Sequence, residues 1–219
     1  MTLQLFGHPF SSYTQKALIA FYENDTAFDF RMLSPDEAAN NEEFARLWPI
    51  KRFPILVDEG RTILEATTII EYLEANYPGP SHLIPEEACD AVEVRMMDRV
   101  FDNYVMTPQG NIVFNAIRQP QDRDTYGETQ WRAMLETAYA WLDERMAGRE
   151  WAVGDRFTLA DCAAAPSLFY ADWTHKIGEQ HGHLLAYRAR LLAHPSVARA
   201  VDGGRPYRHF FPLGAPDRD

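Results

Sequence analysis

Apolar residues recur with two different periods along this 219-residue chain, and the change falls near residue 80. Before it, short runs alternate with turns. Leu3-Gln4-Leu5-Phe6 reads as a strand entering the turn Gly7-His8-Pro9, and Phe28, Phe30 and Met32 alternate over 27–32 as a second strand. Between them Ser12–Tyr22 carries Ala17 to Phe21, a pattern that suits a largely buried helix. A polar stretch holding Phe44 and Leu47 predicts a short helix ending near Pro49. Strand 53–57, the turn Asp58-Glu59-Gly60 and strand 61–64 predict a hairpin, and Ile69, Ile70, Tyr72 and Leu73 mark a helix over 66–75. The order β-α-β-α-β-β-α predicts one mixed sheet with helices packed on it, over residues 1–78.

Pro78-Gly79-Pro80-Ser81 punctuates the chain, and 79–85 reads as a linker. From 86 to 202 the period becomes helical, in segments 87–106, 129–146, 158–172, 180–193 and 195–201, which predicts an all-helical bundle. Over 87–106 the pattern places Val92, Met96, Val100, Phe101 and Tyr104 on one broad inward face. Thr158-Leu159-Ala160-Asp161 precedes an apolar run and reads as a capping box, so Asp161 is expected to cap rather than to act as an acid or base. Residues 203–219 carry Tyr207, Phe210 and Phe211 between Gly and Pro, which predicts a loop that packs back on the helical part or near a cleft.

Charge changes the picture in one respect. With 21 Lys and Arg against 32 Asp and Glu, the net charge is −11, which disfavours nucleic acid and anionic membrane as partners. Cys89 and Cys162 fit neither a disulfide scaffold nor a metal or CxxC spacing, so no metal is expected. The chain has no run of about 18 apolar residues and no leader-like start, and cytoplasmic is the expected location.

Chemistry concentrates at 51–67. A proline opening a strand cannot supply a ladder N–H. With a cis Phe53–Pro54 bond, the Phe53 N–H and C=O would face outward as a docking edge for an extended peptide. Glu65 lies at the start of the next helix, where free N–H groups also collect. One surface would then offer an acceptor for an ammonium and donors for a carboxylate, the two ends of an amino acid.

The proline-initiated strand, Glu65 followed by Ile69-Ile70-Glu71-Tyr72-Leu73, and Gly154-Asp155-Arg156-Phe157-Thr158-Leu159-Ala160-Asp161 together resemble the cytosolic glutathione transferase family, in its serine-type, bacterial-like form. The resemblance covers about residues 1–202. It implies a thioredoxin-like α/β domain followed by the all-α domain, a homodimer joined through the helices near 66–77 and after 87, and glutathione as co-substrate. Ser11 falls where serine-type members carry the catalytic hydroxyl. Ser12 competes for that role, one of the pair capping the helix while the other donates, and Tyr13 is a weaker donor candidate further along the helix. Phe53 and Pro54 match the pair beside the cysteinyl unit, Lys51-Arg52 the basic pair near the glycyl carboxylate, and Glu65 the acid that binds the γ-glutamyl end. Ala66 replaces the serine that follows this acid. Losing that hydroxyl weakens binding about ten- to hundredfold unless the Thr67 hydroxyl or the N–H groups at 66 and 67 replace it.

The chemistry implied is a thiol turned into a thiolate near neutral pH. An aimed hydroxyl and a helix N-terminus favour the anion without keeping its proton. The electrophile is expected opposite the sulfur, in an apolar cleft lined by Phe10, Met97, Phe101 and Tyr104. A glutathione-dependent reductase, dehalogenase or ether lyase, and a non-catalytic binding or regulatory protein, are the competing readings.

Overall fold

The computed structural model describes residues 3–219. Its first part runs β1 (Leu3–Gly7), α1 (Ser12–Glu23), β2 (Phe28–Met32), α2 (Ala38–Leu47), β3 (Ile55–Asp58), β4 (Arg61–Leu64) and α3 (Ala66–Asn76). The strand order is β2-β1-β3-β4, with β1 and β2 parallel and the other two pairings antiparallel. Alternation sorts the strand residues onto two faces. Leu5 and Leu56, paired across β1 and β3, join α1 and α3 in the main core. Phe6 and Ile55, the next pair, meet Phe44 of α2 in a smaller core. Gly7 is needed where α1 closes on β1, because a Cβ there would lie 2.7 Å from the Thr14 side chain. The Phe53–Pro54 bond is cis.

The helical part comprises α4 (Ala88–Val100), a π-helical stretch over Phe101–Met106, α5 (Thr107–Ala116), α6 (Thr125–Met146), α7 (Leu159–Thr174), α8 (Gly182–Ala193) and α9 (Pro195–Gly204). Every residue of α7 is buried, and α1 packs against it and α9. The capping box that starts α7 is present, with Asp161 Oδ2 accepting the Thr158 N–H at 2.9 Å and the hydroxyl at 3.1 Å. Among the described residues no helix is long and apolar enough to cross a membrane.

The helical part departs from the sequence reading in three places. The buried stripe of α4 and the π stretch is Ala91, Val94, Met97, Asp98, Phe101, Asp102 and Val105, whereas Val92, Met96 and Tyr104 are exposed. Two aspartates on the inward side disguised it. The segment 107–116, which none of the predicted helical segments covered, is helix α5, whose Pro108 sits in the first turn where its missing N–H costs nothing. The tail begins with a 3-10 helix, Arg205–Phe210, and then packs back as expected, with Phe211 buried and Arg218 paired to Asp172.

Candidate functional site

A cavity of about 680 Å³ lies between the two parts. From the first part it is lined by the start of α1 (Phe10, Ser11, Ser12, Tyr13), the segment Lys51-Arg52-Phe53-Pro54, and the start of α3 (Glu65, Ala66). Three segments distant in sequence thus converge as the 51–67 pattern and the first helix start predicted. From the second part come Met106, α5 residues from Thr107 to Phe114, Tyr170, and the tail residues Phe210, Phe211 and Pro212. The charged lining residues, Lys51, Arg52 and Glu65, all belong to the first part, so the opposite half is uncharged.

Ser11 is the N-cap of α1 and its Oγ accepts the Thr14 N–H at 3.4 Å, a long bond. That hydroxyl donates to no protein acceptor among the described residues, so its hydrogen is available to a ligand. Ser12 is the first residue of the helix and does not cap it. The division of labour between the serines is therefore corrected: Ser11 caps and has a free donor as well. Tyr13, expected to be a weak candidate, lines the cavity. Burial, then the Asp102 charge, push its phenol up to about 12 against the opposing effect of Arg99. It stays protonated at neutral pH and is a second donor.

Glu65 has φ +68°, a conformation that costs a non-glycine residue about 1–3 kcal/mol. Its carbonyl accepts the Ile69 N–H at 2.9 Å, while its exposed carboxylate forms no ion pair among the described residues. No side chain caps α3, so the first-turn N–H groups at 66–68 remain open to an anion. Lys51 and Arg52 are exposed and likewise unpaired among the described residues.

Four predicted residues lie elsewhere. Met97 and Phe101 are fully buried in the core, and Tyr104 is 53% exposed away from the cavity. Inward-facing helical spacing found the core in the first two cases, and Met106 and Thr107, where the π stretch meets α5, line the cavity instead. Thr67 does not line the cavity: its hydroxyl accepts from Lys16 Nζ at 2.9 Å and lies 3.0 Å from Asp98 Oδ2. Its side chain cannot replace the missing serine; only the backbone N–H groups remain for that task. Phe10 lines the cavity as expected.

Lys16 lies behind the site, 1% exposed, with its Nζ 2.6 Å from Asp98 Oδ1 and 2.7 Å from Asp102 Oδ2. Arg99 pairs with both carboxylates from the solvent side. Two cations and two anions balance, and the cluster joins α1, α3 and α4. Cys162 is buried, with its thiol pushed far up by burial, and Cys89 is exposed; neither lines the cavity.

A four-stranded mixed sheet with helices on both faces, docked on an all-helical bundle across a cleft with a helix-start serine, defines a thioredoxin-like protein with a helical second domain. Comparisons with known proteins make the class specific. The profile for the glutathione S-transferase N-terminal domain matches residues 5–81 and that for the C-terminal domain matches 114–194. A Vibrio cholerae protein named "Probable maleylacetoacetate isomerase" is 26% identical over 94% of this chain and 98% of its own length. Glutathione S-transferase F6 of Arabidopsis thaliana is 23% identical, over 91% of this chain and 99% of its own. The crystal structure of a Methylobacterium radiotolerans glutathione S-transferase in complex with glutathione sulfonate is 26% identical, with a TM-score of 0.80 over 92% of this chain and 95% of that one. The chain belongs to the glutathione S-transferase family and is an enzyme of that family, with glutathione as its co-substrate.

Proposed function

We propose that the protein activates the glutathione thiol through Ser11 and transfers the sulfur to hydrophobic electrophiles held in the uncharged half of the cavity. The observation that carries this reading is the free Ser11 hydroxyl at a helix N-terminus, in one cavity with Glu65, the open start of α3 and the Lys51-Arg52 pair. In this reading Glu65 takes the ammonium of the γ-glutamyl end, the N–H groups at 66–68 take its carboxylate, and Lys51 and Arg52 attract the glycyl carboxylate. Phe53 and Pro54 flank the cysteinyl unit. The thiolate attacks the electrophilic carbon, forming a thioether; either a leaving group departs with the bonding pair or the developing carbanion takes a proton.

The energetics support Ser11. Lowering a thiol pKa from about 8.5 by two units requires about 2.7 kcal/mol. A hydrogen bond to a charged sulfur supplies about 1.5–3 kcal/mol, and a helix N-terminus about 0.3–1 kcal/mol more. Ser11→Ala is therefore expected to raise the thiol pKa of bound glutathione by about one to two units, read by ultraviolet titration of the thiolate. The Kd of S-methyl glutathione should stay nearly unchanged, because that ligand has no thiolate. A pKa that moves in Ser12→Ala and not in Ser11→Ala would transfer the role to Ser12. Product analysis separates transfer, which consumes glutathione, from isomerisation, which regenerates it.

A further inference from the structure

The loop that delivers Ser11 is tied down along its whole length. Gly7 O accepts the Leu33 N–H at 2.9 Å, and His8 O accepts the Ser11 N–H at 2.9 Å. His8 Nδ1 accepts the Phe10 N–H at 3.2 Å, which requires a neutral ring. Two carbonyls remain, and both are held by side chains. Pro9 O accepts Gln15 Nε2 at 2.9 Å, and Phe10 O accepts the Tyr170 hydroxyl at 2.8 Å. Gln15 Nε2 also donates to Tyr170 Oη at 3.2 Å. A phenol has one hydrogen and an amide nitrogen two, so each donor in this chain is used and every direction is fixed.

Tyr170 is 4% exposed and burial holds its phenol protonated. It stands on α7, 160 residues from the loop it grips, and lines the cavity as well. The end of α9 closes over the same spot. A Cβ at Gly204 would lie 2.8 Å from Gln15 Nε2 and 3.2 Å from Pro9 O, so only glycine leaves the amide in place.

We propose that Tyr170, with Gln15, is a positioning residue for the Ser11 hydroxyl, acting through the Pro9 and Phe10 carbonyls. The proposal rests on Ser11 being the thiolate donor. The residue preceding Ser11 is anchored to the helical part, so the second domain sets where the hydroxyl points. A displacement of about 1 Å in such a donor can cost up to a hundredfold in rate. Tyr170→Phe removes the grip while keeping the ring contacts with Phe10 and Trp173, at 5.5 and 5.9 Å between centroids.

Thiolate titration of the glutathione complexes of Tyr170→Phe, Ser11→Ala and the double variant tests the idea. Tyr170→Phe should raise the thiol pKa by about half to one unit, with turnover at pH 7 falling about three- to tenfold and recovering at higher pH. The Kd of S-methyl glutathione should be unchanged, and in the Ser11→Ala background Tyr170→Phe should shift the pKa no further. An unmoved pKa in folded Tyr170→Phe, beside a raised one in Ser11→Ala, overturns the positioning role and leaves the serine reading intact. Additive shifts overturn it too. If Ser11→Ala itself leaves the pKa unmoved, the serine reading fails and this inference with it. Should Tyr170→Phe not fold, Gln15→Met, which removes both amide donors, is expected to give the same rise, and an unchanged pKa there is equally decisive against it.

Discussion

Replacing Lys16 by methionine keeps the unbranched apolar stem of the side chain and removes the ammonium between Asp98 and Asp102. Both carboxylates are nearly inaccessible, at 1% and 9% side-chain exposure, and the remaining cation, Arg99, is half in water. Breaking a buried pair by deleting one partner costs about 3–5 kcal/mol, because the orphaned charge stays buried. For a chain of this size each kcal/mol moves the melting temperature by about 2–4 °C, so a fall of about 6–20 °C is expected.

The pH dependence identifies the cause. Burial raises the Asp102 carboxyl above its ordinary 3.8, and Lys16 opposes that rise. A carboxyl whose folded value exceeds its unfolded value binds more protons when folded, so stability falls as pH rises between the two values. Without Lys16 the folded value rises further and the penalty grows. The deficit of Lys16→Met relative to the parent should be greatest at pH 7 and shrink as Asp102 takes up a proton on acidification. Urea unfolding of both proteins between pH 5 and 7.5 measures this. A deficit below about 1 kcal/mol, or one that does not change with pH, would refute the reasoning.

Other outcomes follow from single contacts. Changing Lys51 and Arg52 together to Ala should raise the Kd for glutathione in calorimetric titration, with a smaller effect on an analogue lacking the glycyl carboxylate; equal losses would assign the pair a structural role. Glu23 is pushed up by burial but held below its ordinary range overall by hydrogen bonds from His194, Ser196 and Ser81, which tie the end of α1 to the start of α9 and to the linker. A depressed carboxyl stabilises the fold above its unfolded value and loses that contribution as pH falls through the folded one, so Glu23→Gln should cost about 1 kcal/mol at pH 7 and little at acid pH by urea unfolding. Val92 and Met96 are exposed on α4 beside α3, where Arg95 and Glu71 pair at 2.6 Å, and this face is proposed to join two copies. Analytical ultracentrifugation at micromolar concentration should give about twice the chain mass, and Met96→Glu should lower it.

Local signals carried the first part well. Strand alternation, the proline before β3 and the charged helix start at Glu65 each act within a few residues, and the cleft forms where they meet. The second part depended on contacts that no local pattern contains. Asp98 and Asp102 marked the inward face of α4 as polar because their counter-ion, Lys16, comes from α1, itself disguised as a surface lysine in a buried helix. Tyr104 continues the stripe of Val92, Met96 and Val100, whereas the buried stripe runs through Ala91, Val94, Asp98, Phe101 and Val105, so extending the wrong stripe led to Tyr104 instead of Met106 and Thr107. Thr67 looked available for a ligand because the buried cluster that claims its hydroxyl was invisible. The spacing of four between Asp98 and Asp102 on an apolar stripe, with a lysine in another buried helix, was the signal that could have found it.

The same helix, α1, is gripped from two sides within a single turn. Gln15 faces Tyr170 and the loop carbonyls, and Lys16 faces Asp98, Asp102 and Thr67. The first contact holds the loop that precedes Ser11 and is proposed to orient its hydroxyl, and the second ties α1 to the first turn of α3, where the open N–H groups lie. Both partners, Tyr170 and the aspartate pair, belong to the helical part. The thioredoxin-like part alone would leave Lys16 without its counter-ions and the Phe10 carbonyl without its donor. Its two helix starts would keep the Lys16–Thr67 bond and their shared core but lose the carboxylates and the phenol that hold these side chains and the loop in place. The proposed binding mode, with one hydroxyl against a sulfur and a row of N–H groups against a carboxylate, needs the separation of the two helix starts fixed. In the proposed mechanism the helical part therefore contributes more than a wall for the electrophile: it holds the geometry in which the first part would bind and activate the thiol.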